Sequence, residues 1–134
     1  MVHPYAELIG LELEEQSNGH SKCSLDADPK LFNPHKVIHG AAIYSLADTG
    51  MGAALYPALA ADESCATLEI KINYFRPISS GTVSCVTELI NKGKSVANLE
   101  SSIYNQGKLV AKANGNYAIF KPANKELLRK AGTS

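Results

Sequence analysis

The hydrophobic positions divide the chain into one long apolar stretch and a set of alternating ones. From Gly40 to Ala61 a single charged residue occurs, Asp48. This spacing predicts a helix from Gly40 to Tyr56, stopped by Pro57, which cannot continue it. At 3.6-residue spacing, Ile43, Leu46, Ala47, Gly50 and Ala54 form one stripe, and Ala41, Ser45, Asp48 and Gly52 form a second, small and weakly polar. Gly50 and Gly52 each cost about 1 kcal/mol of helix propensity. Close approach by a strand explains them most simply, and space for a ligand beside Asp48 is the functional alternative.

Elsewhere the period is two. Leu11–Glu15 and Ser21–Asp26 read as strands joined by Ser17-Asn18-Gly19-His20, in which Asn-Gly signals a hairpin. Further strands are expected at Ala66–Phe75, Thr82–Ile90, Ser95–Tyr104 and Lys108–Phe120. In the first of these Leu68, Ile70, Ile72 and Tyr74 share one face, with Thr67 on the other. Gly115 suggests a bulge or bend. Pro4–Gly10 predicts a short helical turn, residues 30–39 a loop, and Asn124–Lys130 a surface helix or frayed tail. Two strands, one long helix and an antiparallel meander make an α+β arrangement. A curved sheet wrapped around the helix accounts for its being apolar on nearly all sides.

Composition narrows the function classes. The chain has 134 residues, 45% hydrophobic, 19% charged, with a net charge of zero. That suits a single domain over 1–134, with its core at about 4–121 and a C-terminal tail at 122–134. It offers no basic face for nucleic acid. Cys23, Cys65 and Cys85 are odd in number and widely spaced, which predicts neither disulfides nor zinc and suits a cytoplasmic setting. The N-terminus lacks the pattern of a secretory signal. Asp48, Pro57 and the two glycines argue against a membrane span. His35 and His39 are four apart, a metal spacing only on a helix, and Pro34 and Gly40 argue against one there. No metal is expected.

The stretch Asn33-Pro34-x-x-Val37-x-His39-Gly40-Ala41-x-x-x-x-Leu46-x-Asp48 resembles the signature of the PaaI-like acyl-CoA thioesterases, within the 4-hydroxybenzoyl-CoA thioesterase superfamily. Pro4–Leu13, Tyr74-Phe75-Arg76-Pro77 and Lys92-Gly93-Lys94 match as well, so the likeness spans roughly residues 4 to 121. It implies the hotdog fold, a long helix swaddled by a five- or six-stranded antiparallel sheet. The family commonly has His-Gly-Gly where this chain has His39-Gly40-Ala41.

Thioester hydrolysis needs a group to polarise the carbonyl, one to activate or replace water, and one to hold the leaving group. Gly40, at the predicted helix N-terminus, presents an amide without an intrahelical partner. The resemblance assigns that N–H to the thioester oxygen, with Asn33 assisting. Read from the residues alone, Gly40 is a helix-start residue and Asn33 a turn residue. Asp48 would be general base or nucleophile, and the resemblance implies that Thr67, otherwise an ordinary β-branched strand residue, positions water. His39 would orient the loop or hydrogen-bond near the oxyanion site. Lys92, Gly93, Lys94 and Ser95 form either a plain hairpin turn or a holder for CoA phosphates, and Arg76 is a further phosphate candidate. Met51, Leu55, Tyr44 and Phe75 are candidate acyl-pocket residues.

Asp48 follows Gly40 by eight residues, about 12 Å along a helix. It is too far to serve its own Gly40, so the site is expected to be shared between subunits of a dimer or, in preference, a tetramer built as a dimer of dimers. The resemblance implies the same. The expected function is hydrolysis of a medium-chain or aromatic acyl-CoA, with no cofactor beyond the CoA of the substrate. A hotdog dehydratase and a non-catalytic acyl-CoA-binding protein are the alternatives.

Overall fold

A computed structural model describes residues 3–123. The elements are α1 (Pro4–Ile9), β1 (Glu12–Ser17), β2 (His20–Asp26), α2 (Gly40–Leu55), β3 (Ser64–Tyr74), β4 (Thr82–Lys92), β5 (Val96–Asn105) and β6 (Lys108–Phe120). The short α1 starts on Pro4 and ends at Gly10, whose φ of 76° is left-handed backbone that glycine adopts without strain. A 3-10 turn from Tyr56 to Ala58 carries Pro57 and finishes α2 one residue earlier than the sequence predicts. The proposed helix at Asn124–Lys130 lies outside the described residues.

All six strands form one antiparallel sheet in the order β1-β2-β4-β5-β6-β3. The sheet curves around α2, which packs chiefly on β2, β4, β3 and β5. This is the hotdog arrangement. Leu46, Met51 and Leu55 of the helix are fully buried with Val83, Leu99 and Ile103 of the sheet, each worth about 1.5–3 kcal/mol on the usual transfer scale. Small residues let helix and sheet approach. A Cβ on Gly50 would lie 2.8 Å from Thr87 Oγ1. Beside it Ser21 Oγ donates to the Gly50 carbonyl at 2.6 Å, and Thr87 and Ser101 pair at 2.7 Å, so these buried hydroxyls are satisfied.

Three expectations need correction. First, Gly115 is not a bulge: its register is continuous with both neighbours. A Cβ there would meet Met51 Sδ at 2.6 Å and Ile70 Cγ1 at 3.0 Å, so it is a contact point with the helix. Second, the bulge lies on β3, where Thr67 pairs with Tyr117 but Glu69 pairs with Asn116, leaving Leu68 as the extra residue. The insertion flips the alternation. Thr67 therefore shares the helix-facing side with Ile70, Ile72 and Tyr74 instead of opposing them, and Leu68 is 59% exposed.

Third, the sheet does not swaddle α2 completely. Ala41 is exposed, and Tyr44, Ser45, Asp48 and Thr49 are half-buried, forming an uncovered stripe. Tyr5 of α1 crosses it, its hydroxyl 2.9 Å from Ser45 Oγ. Among the described residues, no helix is long and apolar enough to cross a membrane.

Candidate active site

The loop before α2 is shaped by its own side chains. Asn33 Oδ1 accepts the His35 N–H at 2.8 Å, and the Asn33 N–H donates to the Val37 carbonyl at 2.8 Å. That is an Asx turn, closed through Lys36 at a φ of 63°. It uses the side-chain oxygen and leaves the Asn33 amide hydrogens without a partner among the described residues. His39 has extended backbone, and its Nδ1 accepts the Ala41 N–H at 2.9 Å. The ring thus caps the helix, and with Nδ1 as acceptor its proton sits on Nε2.

Capping removes the Ala41 amide from use and leaves the Gly40 N–H without a partner among the described residues. The tyrosine ring of Tyr74 lies over this residue: its hydroxyl donates to the Gly40 carbonyl at 2.9 Å. A Cβ on Gly40 would stand 3.1 Å from Tyr74 Cζ. Glycine is what lets the ring close down on the helix start. A cleft of about 380 Å³ opens here, lined by Ile38, Gly40, Ile43, Tyr74, Phe75 and Arg76 among others. Burial pushes the Tyr74 phenol up, with a smaller contribution from Tyr44.

Asp48 sits at a second locus. Thr67 Oγ1 donates to Asp48 Oδ1 at 2.7 Å, and the Tyr117 hydroxyl lies 2.5 Å from the same oxygen. The Leu68 bulge makes this possible, because it turns Thr67 inward beside its cross-strand partner Tyr117. Oδ2 has no partner among the described residues. Burial, then the Asp48 charge and hydrogen bond, push the Tyr117 phenol far above the ordinary tyrosine range. Burial and the same carboxylate also raise the Cys65 thiol.

The expected residues thus fall into two groups. Gly40, His39 and Arg76 gather at the Tyr74 end of β3, with Asn33 in the preceding loop. Asp48 and Thr67 lie toward its Ser64 end. Lys92, Gly93, Lys94 and Ser95 belong to that second end too, since Val96 pairs with Ala118 and Ala66 pairs with the same residue. They form a hairpin turn in which the Gly93 N–H donates to the Val96 carbonyl at 2.8 Å. Lys92 Nζ is 3.9 Å from Glu63 Oε1, whereas Lys94 has no ion pair among the described residues. Within one chain, Gly40 and Asp48 are not brought together.

Of the acyl-pocket candidates, Phe75 lines the cleft and Tyr44 is half-buried, but Met51 and Leu55 are wholly core. Tyr117 is missing from the expected residues. Its signal lay in the alternation Ala111-Ala113-Gly115-Tyr117, one large polar ring on an otherwise small inward face, which must find a hydrogen-bond partner once buried. Among the described residues, no group of three or more His, Cys, Asp or Glu side chains is placed to hold a metal.

Comparison with known proteins adds a family. The profile described as "Thioesterase superfamily" matches residues 35–112. A solved structure of conserved protein PA5202 from Pseudomonas aeruginosa is 35% identical, covering 90% of this chain and 96% of that one, with a TM-score of 0.85. The E. coli PaaI protein of the phenylacetic acid degradation operon superposes with a TM-score of 0.82 at 22% identity, over 88% of this chain and 85% of that one, a likeness of fold. SSO1253 of Saccharolobus solfataricus, whose esterase assignment is provisional, is 28% identical over 88% of this chain and 79% of its own length.

Proposed function

This chain belongs to the thioesterase superfamily and is a PaaI-like thioester hydrolase, and from that premise we propose that it hydrolyses medium-chain or aromatic acyl-CoA at a site built by two protomers. One observation carries the reading: the candidate groups are split between the two ends of an open edge strand. Gly40 lies under Tyr74, and Asp48 lies under Thr67. If two copies join antiparallel through β3, the ends exchange. Asp48 of each protomer then comes to Gly40 of the other. Pairing centred on Ile70 sets Glu69 against Lys71 of the second copy, an opposite-charge match. The half-buried stripe of α2 is covered by the same contact.

In this site the Gly40 N–H, aided by the Asn33 amide, receives the oxygen as it becomes an oxyanion. Removing one such donor typically costs 10²–10³-fold in rate. Asp48 from the opposite protomer either takes a proton from water as the water attacks, or attacks the carbonyl itself. Thr67 holds that carboxylate. Arg76 on one side, and Lys92, Gly93, Lys94 and Ser95 on the other, are the candidates for CoA phosphates. The reaction needs no cofactor. Three buried free thiols fit a reducing, cytoplasmic setting, and pairing of these dimers into a tetramer is compatible with the site.

The test is a panel of acyl-CoA substrates followed by free-thiol release, on the wild type, Asp48→Asn and Asn33→Ala. We expect turnover by the wild type, a loss of 10²-fold or more in Asp48→Asn, and a smaller loss in Asn33→Ala. Binding of acyl-CoA without turnover would make the protein a carrier and overturn the proposal. Wild-type rates in both variants would displace the site.

A further inference from the structure

We propose that Tyr117 is a positioning residue for hydrolysis: together with Thr67 it holds Oδ1 of Asp48 and leaves Oδ2 as the reacting atom. The inference rests on the role given to Asp48 above and assigns work within its carboxylate. Both donors converge on one oxygen, Thr67 at 2.7 Å and Tyr117 at 2.5 Å, while the other carries none among the described residues. Tyr117 is 3% exposed, so its hydroxyl depends on a protein partner. It also lies 2.8 Å from the Asp48 carbonyl. The phenol has a single proton, and the shorter contact to an ionised acceptor claims it.

The arrangement has a chemical consequence. Two donors on Oδ1 fix the torsion of the carboxylate, while Oδ2 carries no hydrogen bond among the described residues. As a base, Oδ2 takes the proton of the attacking water while the water oxygen bonds to the thioester carbon. The C–S bond then breaks, and the proton passes from Oδ2 to the departing thiolate. As a nucleophile, Oδ2 itself bonds to the carbon and the thiolate leaves. Water then cleaves the mixed anhydride, returning the carboxylate and supplying the thiol proton. Either course uses an oxygen that must be unencumbered and correctly aimed.

The titratable groups set against Asp48 are Tyr117 from β6 and Cys65 from β3, and the surroundings raise both. Both stay neutral while a carboxylate titrates. A donor to the ionised form of a carboxylate favours that form, so removing or strengthening such a donor moves the acid limb of a pH–rate profile in opposite directions.

The experiment compares kcat, KM and pH profiles for the wild type, Tyr117→Phe and a protein carrying 3-fluorotyrosine at position 117, with octanoyl-CoA and benzoyl-CoA as probes. Tyr117→Phe is expected to lose about tenfold in kcat with KM nearly unchanged, and its acid limb to move up by about half a pH unit or more. The fluorinated ring keeps its shape and is a stronger donor, so its limb moves down by a few tenths. A role in packing alone lowers the fraction folded but moves neither limb. Unmoved limbs, with Asp48→Asn inactive, overturn the proposal; should Tyr117→Phe not fold, the fluorotyrosine profile alone decides. Wild-type turnover in Asp48→Asn removes the site itself and this inference with it.

Discussion

The sheet has two edges, and they are built in opposite ways. β1 has six residues, Glu-Leu-Glu-Glu-Gln-Ser, all exposed, with its register shifted between Leu13 and Glu15. Three carboxylates and short length are common means of preventing a strand from adding to another chain; a bulge occurs on both edges, at Leu68 on β3, and does not set them apart. β3, at the other edge, runs for 11 residues and leaves Leu68 and Tyr74 largely exposed, with Phe75 just beyond it. Its charges, Glu69 and Lys71, have opposite signs. A long open edge with self-complementary charges suits a twofold partner. The difference teaches where the proposed partner would join: one edge is short and acidic, and the other holds half of a candidate site at each end.

The most severe way to break the comparison is to give β3 the character of β1. A twofold contact repeats any substitution, so Leu68→Lys brings two new cations to one interface. Because Leu68 is 59% exposed, the fold should survive. We expect a monomer by light scattering and a loss of thioester hydrolysis of about 10²-fold or more. Leu13→Lys on β1, also at an exposed leucine, should change neither assembly nor rate. If both variants behave alike, the two edges do not differ in the way proposed.

A second substitution acts inside the β3 edge. Gly115→Ala pushes a methyl against Met51, Ile70 and the Glu69 carbonyl. Overpacking of this kind costs about 1–3 kcal/mol, read as a lower midpoint in urea, with assembly weakened because Ile70 and Glu69 belong to the edge. The register itself can be tested next. Glu69→Lys should weaken the dimer by about tenfold in Kd, two facing charge pairs being lost at once, and the swap Glu69→Lys with Lys71→Glu should restore it. Analytical ultracentrifugation reads both.

The smallest effect belongs to β1. His20 on β2 bridges Glu15 of β1 at 3.1 Å and Glu88 of β4 at 2.7 Å. The hydrogen bond to Glu88, then that to Glu15, raises the histidine above 6.5. A raised histidine stabilises the fold fully below about pH 6.5 and loses that contribution as pH climbs through its folded value. The cluster is solvent-exposed, so relative to His20→Gln the wild type should lose roughly 0.5 kcal/mol or less between pH 6 and 8.5. Denaturant titrations at the two pH values measure it.

The sequence made much of this readable, through particular residues. The hairpin at Asn18-Gly19, the alternation of β4 and β5, and the apolar run of α2 each carry a local physical signature, and each became the expected element. Asp48 stood out as the lone acid of an apolar run, whereas the roles expected of Gly40, Asn33 and Thr67 came from the likeness to the family. The Leu68 bulge was not readable, because Leu68, Ile70, Ile72 and Tyr74 keep an unbroken period of two. The break exists only in the pairing with β6. For that reason Thr67 was assigned to the wrong face and Tyr117 was missed. The apolar character of α2 likewise says that something covers the helix, but not whether its own sheet or a second copy does so.

Subunit complementation tests the central claim most directly. Gly40→Pro deletes the candidate oxyanion amide at a first helical position, where the proline backbone is tolerated, and His39 before it already has the extended backbone that proline favours; its Cβ, 3.1 Å from Tyr74 Cζ, requires that ring to give slightly. Asp48→Asn deletes the carboxylate. Each protein alone should be inactive. Mixed in equal amounts and allowed to exchange, they should form half heterodimers, each with one intact site out of two, and regain about a quarter of the wild-type rate. No recovery after proven exchange would contradict the shared site.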